Sequence, residues 1–406
     1  MTVERKSTSR FQVGFLSLLV LGILGCASAG KQNLRDLSAE IARRLELAGL
    51  QGVEIEIPFE PTEEMRRWVR EHVGRAGDPV QKLERLLQAL LNRDGKQLEY
   101  ERSSTRTARE VWVAYRANCL SFSHLLIGLA REVGVSAYYL RVADSARFTR
   151  EQDLVVASEH VTAAFGPPNQ RRILEFSDRP SRTYRELEPL SDLTAVALHY
   201  SNRGAEALRA GDPLLARQNL RMAVAIDPEL SDGWVNLGVA ERRLGNLEAA
   251  ETSYRRALQV DPRQSSAYHN LIVLLELTAR QAEANELRQL LARGMARNPY
   301  SYIALGDWFR SANRLAEAEE SYRRATRFDP PAAEGYAALG ELALLRGDLK
   351  GAQKWFKRAE RLEPEAPRVR ALRARIEAAA KHQATESSSS LGVPPQTQPP
   401  PPPWKG

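Results

Sequence analysis

Cysteine is almost absent from this sequence, which contains only Cys26 and Cys119 among its 406 residues. So few cysteines exclude a small scaffold held together by disulfides. The six histidines are scattered without the spacing of metal ligands, and the chain has neither a phosphate-binding glycine loop nor a dinucleotide fingerprint. The sequence therefore predicts no metal site and no cofactor.

Long apolar runs of membrane-spanning length are also lacking. The run Phe11–Gly25 follows the basic residues Arg5, Lys6 and Arg10, and it has the length of a signal-peptide core rather than of a membrane span. We therefore predict that residues 1–25 are a targeting segment that is removed from the mature chain and takes no part in the fold.

The end of this segment, Leu24-Gly25-Cys26, resembles the lipobox of bacterial lipoproteins. In that family the cysteine is diacylated, with chains such as palmitate, and the chain is cut just before it. The resemblance implies a membrane anchor at Cys26. Ala27 and Ser28 follow without an Asp, which by the family's sorting rules implies the periplasmic face of the outer membrane. The alternative is an ordinary signal peptide cut near Ala29.

Charge of one sign does not dominate the chain. The formal net charge is +7, of which the leader contributes +2, and Lys and Arg are mostly interspersed with Asp and Glu on predicted helical faces. This pattern is typical of a solvated surface, so the sequence predicts no nucleic-acid partner. Roughly 350 residues remain between the leader and the tail, which is enough for two domains.

The stretch Arg116–Val135 places Cys119 at the head of an amphipathic helix that ends near Gly134. The apolar positions with helical spacing are Leu125, Leu126, Leu129 and Ala130. A thiol at a helix N-terminus lies among unpaired N–H groups and at the positive end of the dipole, which lower its pKa. Cys119 is therefore a candidate nucleophile, and the alternative is a buried, inert thiol.

The elements before this stretch are predicted to be mostly helical. Residues 26–50 contain the anchor linker and a first helix, Val53–Ile57 alternates like a short strand, and Thr62–Val73 is a second helix. A third helix opens at Asp78-Pro79, and Thr107–Val111 leads the chain to the cysteine.

The elements after it are predicted to be strands. Ser136–Val142 is rich in β-branched and aromatic residues, and a polar loop follows at Asp144–Asp153. A strand then begins at His160, turns at Gly166–Asn169, and returns along Arg172–Phe176 as a hairpin.

Together these features resemble the transglutaminase-like (papain-like) cysteine enzymes across about Asp78–Asp178. The shared features are a Thr-Ala-x-Glu lead-in, the cysteine, a helix ending in Ala-Arg-x-x-Gly, a strand, a histidine before a further strand, and an acidic residue. The resemblance implies an α+β fold over residues 51–190. It also implies acyl transfer with Cys119 as nucleophile and His160 as base.

For the group that orients the histidine, the resemblance points to Glu175, with Asp178 as the reserve candidate. Two residues depart from the family pattern: Glu175 stands where Asp is usual, and Ala117 stands where Gly is usual. If the backbone at 117 needed a positive φ, Ala would be strained there.

From Leu198 onward the sequence repeats with a period of 34 residues. One register is aromatic, at Tyr200, Trp234, Tyr268, Tyr302 and Tyr336. Two further registers carry small residues, at Gly204, Gly238, Gly306 and Gly340, and at Ala216, Ala250, Ala284, Ala318 and Ala352. This pattern resembles the tetratricopeptide repeat (TPR), which implies an all-α solenoid of five helical hairpins.

The predicted repeats occupy residues 197–365, at about 197–230, 231–264, 265–298, 299–332 and 333–366. A capping helix follows at 366–380. Residues 381–406 are rich in Ser and Pro, and we predict that they are disordered.

The repeats imply a protein or peptide partner in the groove of the solenoid. Asn202, Asn236 and Asn270 are one period apart on successive first helices, where peptide-binding arrays of this family hold the ligand backbone, and Arg242 could meet a carboxylate. The alternatives are that the asparagines tie neighbouring helices together and that the arginine is solvated.

Two functions are therefore compatible with the sequence. The first is an envelope-anchored cysteine hydrolase or acyltransferase that acts on peptide or isopeptide bonds, with TPR repeats that recruit partners. The second is a non-catalytic TPR scaffold or envelope assembly factor with a degenerate transglutaminase-like domain. A contact between Cys119 and His160 in an open site would favour the first.

Overall fold

The computed structural model describes residues 34–74, 76–91, 93–151, 154–176, 187–295, 298–328 and 332–390. The predicted leader, Cys26, Asp178 and the end of the predicted tail lie outside these residues. Across the described ranges, no helix combines the length and the apolar character that crossing a membrane requires. The chain forms two compact units, which divide between Ala284 and Asn285.

The first unit begins with five helices and a small parallel strand pair. The helices are α1 (Leu34–Leu47), α2 (Glu63–His72), α3 (Pro79–Leu91), α4 (Ala108–Ala114) and α5 (Cys119–Glu132), and the strands are β1 (Glu99–Tyr100) and β2 (Arg116–Ala117). Side-chain caps fix several helix starts. For example, Thr107 and Glu110 form a capping box at α4, in which the Thr107 N–H donates to Glu110 Oε2 at 2.7 Å.

A four-stranded antiparallel sheet, with the order β5-β4-β3-β6, follows α5. Its strands are β3 (Ala137–Glu151), β4 (Leu154–Phe165), β5 (Arg172–Leu174) and β6 (Leu187–Leu190). The predicted polar loop at Asp144–Asp153 is wrong as far as Glu151, because β3 continues to that residue, which pairs with Leu154 of β4. Gln152 and Asp153 lie outside the described residues. Backbone pairing with β4 therefore outweighs the polar side chains of this segment in deciding its structure. The register of the two strands shifts between Val142 and Arg147.

The predicted strand Val53–Ile57 is also absent: this segment is irregular and pairs with no strand of the described chain. Tyr200 takes the place of a ladder partner. Its hydroxyl donates to the carbonyl oxygen of Glu56 at 3.1 Å and accepts from the Glu56 N–H at 3.2 Å. The predicted strand is therefore wrong, and Val53 at its start is exposed although Ile57 is buried.

α5 is the central helix of the first unit, and every residue from Leu120 to Ala130 is buried. Gly128 allows this helix to lie directly on the backbone near Phe59, because a Cβ at position 128 would overlap the Phe59 carbonyl oxygen. α5 also contacts α2, α3, α4, β3 and β4. It is therefore held on several sides, which fixes the position of its first residue.

The repeat region consists of helical hairpins. Its helices are α6 (Asp192–Arg209), α7 (Pro213–Ile226), α8 (Ser231–Arg243), α9 (Leu247–Val260), α10 (Ser265–Leu277), α11 (Gln281–Leu290), α12 (Pro299–Ser311), α13 (Leu315–Ala325), α14 (Ala333–Leu345) and α15 (Leu349–Leu362). The repeated glycines lie where two helices approach closely: a Cβ at Gly238 would overlap the ring of Tyr254, and one at Gly306 the ring of Tyr322.

The last helix, α16 (Pro367–Ser390), is longer than the predicted cap of residues 366–380. It continues into the segment that we predicted to be disordered, because no Gly or Pro interrupts the chain between Pro367 and Gly392. Its first part packs against α14 and α15, and Val369 and Leu372 are fully buried there.

Candidate functional site

Cys119 is presented by the β1–β2 pair and the start of α5. The pair aligns Tyr100 with Ala117, the chain then passes through Asn118, and α5 begins at Cys119. Asn118 caps the helix, since its Oδ1 accepts from the Ser121 N–H at 2.8 Å. The first N–H groups of a helix have no partner inside it, so the thiol lies at the positive end of the α5 dipole.

Ala117, which stands where the family pattern has Gly, causes no backbone strain. Ala117 is part of strand β2, and the left-handed residue in this segment is Tyr115, with φ 54°, at the C-terminal end of α4. The possible requirement for glycine at 117 therefore does not arise in this structure.

The sheet brings the other two predicted site residues to the thiol. His160 lies on β4, opposite Val142 of β3, and Glu175 follows the end of β5. His160 Nε2 and Glu175 Oε1 are 2.9 Å apart, and the side chain of His160 hydrogen-bonds with Cys119. The three residues that the sequence suggested are therefore in contact in a single chain Cys119–His160–Glu175.

The pKa values of Cys119 and His160 are shifted in opposite directions. Burial alone would raise the pKa of the Cys119 thiol, but the hydrogen bond and charge of His160, together with a backbone hydrogen bond from Val161, bring that pKa below its ordinary value. Burial would lower the pKa of His160, but its hydrogen bonds to Cys119 and Glu175 raise that pKa to about 10. Both shifts favour the charged pair, a thiolate beside an imidazolium.

The geometry assigns a role to each ring nitrogen of His160. Nε2 faces Glu175, which leaves Nδ1 for the thiol. The hydroxyl of Thr162 donates to the carbonyl oxygen of Leu174 at 3.0 Å and so ties β4 to β5 beside Glu175. Cys119 as a whole residue is half-buried.

A buried polar chain, which the sequence did not suggest, supports the start of α5. The Nδ2 of Asn118 donates to Thr105 Oγ1 at 2.8 Å, and the Thr105 N–H donates to Glu206 Oε1 at 2.6 Å. Thr105 and Asn118 are 1% and 7% exposed, and Glu206 belongs to α6, the first helix of the first repeat. A helix of the repeat region thus supports the cap of the helix that carries Cys119.

Two of the three predicted peptide-binding asparagines are buried. Asn236 and Asn270 are 1% and 0% exposed, Asn202 is half-buried, and Arg242 is half-buried as well. Strand β4 packs against α8 and α10, the helices that carry Asn236 and Asn270. Their burial favours the alternative that these asparagines tie structure together within the chain.

Two other histidines lie in the core and not at the site. His124 Nδ1 and the Tyr139 hydroxyl are 2.8 Å apart, and the rings of His124 and His199 are 5.4 Å apart. Burial lowers the pKa of both, and that of His199 falls to about 3. His124 Nε2 and His199 Nδ1 have no hydrogen-bond partner in the part of the chain that the structure describes. These histidines are therefore neutral structural residues.

Comparison with known families identifies the repeats. Models of the tetratricopeptide repeat match residues 231–264, 280–333 and 309–376. The chain therefore contains a helical TPR solenoid, an architecture whose repeats serve protein–protein interaction. No curated protein matches the chain.

Several solved structures are similar to a part of this chain. PilF of Pseudomonas aeruginosa is 20% identical over 45% of this chain and 87% of its own, with a TM-score of 0.35. A thermophilic TPR protein of Thermus thermophilus is 20% identical over 45% of this chain and 98% of its own, with a TM-score of 0.36. PilW, a type IV pilus biogenesis factor, is 17% identical over 49% of this chain and 95% of its own, with a TM-score of 0.35. Similarity at this level carries no information about function.

Proposed function

We propose that the α+β region is a transglutaminase-like cysteine domain that transfers acyl groups through a thioester at Cys119. The observation that carries the proposal is the contact chain Cys119–His160–Glu175, in which the thiol pKa is lowered and the histidine pKa is raised. A buried structural cysteine needs neither a histidine partner nor a carboxylate behind it. The arrangement is the one that nucleophilic catalysis requires.

In the first half of the reaction, the Cys119 thiolate attacks the carbonyl carbon of a peptide or isopeptide bond. The carbonyl electrons move to oxygen, and the Cys119 backbone N–H at the start of α5 is placed to donate to this oxyanion. When the C–N bond breaks, the His160 imidazolium gives its proton to the departing amine. A thioester on Cys119 and a neutral His160 remain.

In the second half, water or an amine attacks the thioester. Neutral His160 accepts the proton of the attacking group, the C–S bond breaks, and the thiolate–imidazolium pair is restored. Glu175 holds the ring through Nε2 in both halves and stabilises its positive charge. Its extra methylene relative to Asp is compatible with this role, because Glu175 lies beyond the end of β5 and still reaches His160 at 2.9 Å.

The predicted anchor at Cys26 and the TPR repeats would give the protein a location and a partner. Acylation at Cys26 would hold the enzyme on the periplasmic face of the outer membrane, and the TPR repeats would recruit the protein that carries the acyl donor or acceptor. Burial of the first-helix positions around Asn236 and Asn270 supports partner binding elsewhere on the array.

The test uses p-nitrophenyl acetate, which reports acylation by release of p-nitrophenol. We expect a burst of one equivalent, an acetyl adduct on Cys119 that hydroxylamine removes, and continued turnover. Cys119→Ser should remove the adduct, and His160→Ala should reduce both acylation and turnover by at least about a hundredfold. His72→Ala, at an exposed histidine of α2, is the matched control.

A second candidate is the non-catalytic TPR scaffold, and the observation that favours it is the match of TPR models to residues 231–264 and 280–376. The same test decides between the two. If Cys119 is acetylated at equal rates with and without His160, and no turnover follows, the catalytic proposal is refuted and the scaffold stands.

A further inference from the structure

Helix α15, the second helix of the last repeat, carries a line of basic residues on its solvent side. The four residues are Lys350, Lys354, Lys357 and Arg361, and all four are exposed. Positions i, i+4, i+7 and i+11 fall within a narrow arc of a helix, so these side chains form one stripe about 16 Å long. We call it the α15 stripe.

The α15 stripe is not neutralised by its surroundings. Within the described residues of the second unit, none of its four cations forms an ion pair, and the nearest acidic residue on the helix, Glu360, pairs instead with Arg373 at 2.8 Å. Each of the four charges therefore lacks an acidic partner there, while Arg361 Nε donates to the carbonyl oxygen of Lys357 at 3.2 Å and Lys354 Nζ lies 6.0 Å from the centre of the Trp355 ring.

The equivalent helix of the preceding repeat, α13, neutralises its cations. The pairs there are Arg323–Glu319 at 2.7 Å and Arg324–Glu320 at 3.0 Å. One period later, Gln353 and Lys354 occupy the positions of these two glutamates. The acidic partners that make α13 a solvated surface are therefore missing from α15, and an ordinary solvated face does not explain the stripe.

The opposite face of α15 already belongs to the fold. Ala352 and Ala359 are fully buried, and Trp355 and Phe356 are half-buried against the cluster that includes Val369 and Leu372. The stripe therefore cannot turn inward without unfolding the last repeat. It is a fixed basic surface on a folded helix.

We propose that the α15 stripe binds the surface of an anionic phospholipid membrane. Its residues are three lysines and one arginine, with no aromatic residue among them, and lysine is depleted in protein–protein interfaces while aromatic anchors are enriched. A line of solvated point charges suits the diffuse negative potential of a lipid headgroup layer, where each basic residue contributes about 1 kcal/mol. The predicted anchor at Cys26 would supply the membrane, and the proposal does not depend on the chemistry of Cys119.

The experiment measures partition of the full chain, carrying Cys26→Ser to prevent acylation, into two kinds of vesicle. One kind is phosphatidylcholine alone, and the other contains equal parts of phosphatidylcholine and phosphatidylglycerol. The test variant replaces Lys350, Lys354, Lys357 and Arg361 with Gln. The matched control replaces four paired cations of the preceding repeat, Arg314, Arg323, Arg324 and Arg327, with Gln, which removes the same charge from the same unit.

We expect the unsubstituted chain to prefer the anionic vesicles, and high salt to weaken this preference. The stripe variant should lose at least about thirtyfold of its partition into anionic vesicles, since four contributions are removed. The control should lose threefold or less, at about the same melting temperature. Equal partition of the stripe variant and the control, or no preference for anionic vesicles, would overturn the proposal and assign the stripe to an acidic protein.

Discussion

His160 determines the electrostatics of the candidate site, because the thiolate and the Glu175 carboxylate both stabilise its positive charge. Two anionic partners outweigh the burial that would otherwise favour the neutral ring. The charge of the imidazolium in turn lowers the pKa of Cys119 against burial and against the nearby Glu175. His160 therefore stabilises the thiolate that the Glu175 carboxylate by itself would disfavour.

Glu175→Gln should lower the pKa of His160 from about 10 by one to two units, because an opposite charge in contact contributes a shift of that size. Glu175→Asp keeps the charge and should lower it by less. The measurement is the imidazole nitrogen chemical shift of His160 as a function of pH. An unchanged titration in Glu175→Gln would show that the carboxylate does not stabilise the imidazolium.

The buried histidines His124 and His199 should make the stability of the folded chain sensitive to acid. His124 and His199 stay neutral in the folded chain because burial lowers their pKa, while in the unfolded chain they gain protons below about pH 6.5. Stability that is present above this pH is therefore lost as pH falls toward the folded pKa. The expected slope is about 1.4 kcal/mol per pH unit for each histidine.

His199→Gln should remove one of these two contributions. Urea unfolding of the full chain and of this variant, from about pH 7 to about pH 4, should show that the variant loses stability less steeply by about 1.4 kcal/mol per pH unit. Carboxylates titrate equally in both proteins and cancel in the comparison. Identical slopes would mean that His199 is protonated in the folded state.

At the scale of elements, α5 is positioned from both ends. Its start is fixed by the polar chain through Asn118, Thr105 and Glu206, and its later turns lie on the backbone at Phe59 because position 128 has no side chain. The position of Cys119 therefore depends on residues distant from it in sequence.

Gly128→Ala should destabilise the chain by about 2 kcal/mol, although Ala is the better helix former by about 1 kcal/mol. The added Cβ meets a backbone carbonyl oxygen that no rotamer change can move, and overpacking of this kind costs about 3 kcal/mol. Denaturant unfolding gives the free energy. A stabilised variant would show that α5 does not approach Phe59 as closely as described.

Glu206→Ala should change the environment of Cys119 although the two side chains are joined only through Thr105 and Asn118. The change leaves the buried Thr105 N–H without its acceptor, at a cost of about 1–3 kcal/mol, and loosens the Asn118 cap. We expect the pKa of Cys119 to rise and its alkylation at neutral pH to slow severalfold. Glu46→Ala, at an exposed position of α1, is the control. A loss of stability with an unchanged pH profile of alkylation would limit Glu206 to a structural role.

For the whole molecule, sequence reasoning succeeded where a signal is local or periodic. The start of α5 at Cys119 follows from the residues beside it, and the TPR hairpins follow from a 34-residue period of aromatic and small side chains. His160 and Glu175 were suggested by family pattern, and the structure brings them to the thiol.

Features that depend on distant partners could not be predicted in this way. The polar segment after Val142 forms a strand because β4 pairs with it. The segment around Glu56 is not a strand, and its backbone N–H and carbonyl groups at Glu56 hydrogen-bond with the hydroxyl of Tyr200, 144 residues away. Burial of Asn270 on α10, a helix that packs against β4, and the support of Thr105 by Glu206 likewise arise only when the chain is folded.

The pH dependence of Cys119 alkylation by iodoacetamide, in the full chain with Cys26→Ser, tests the central claim most directly. We expect a thiolate that titrates below the free value of about 8.5, and a return toward that value in His160→Ala. A thiol that titrates at or above the free value, and does so equally with and without His160, would contradict an activated Cys119–His160 pair.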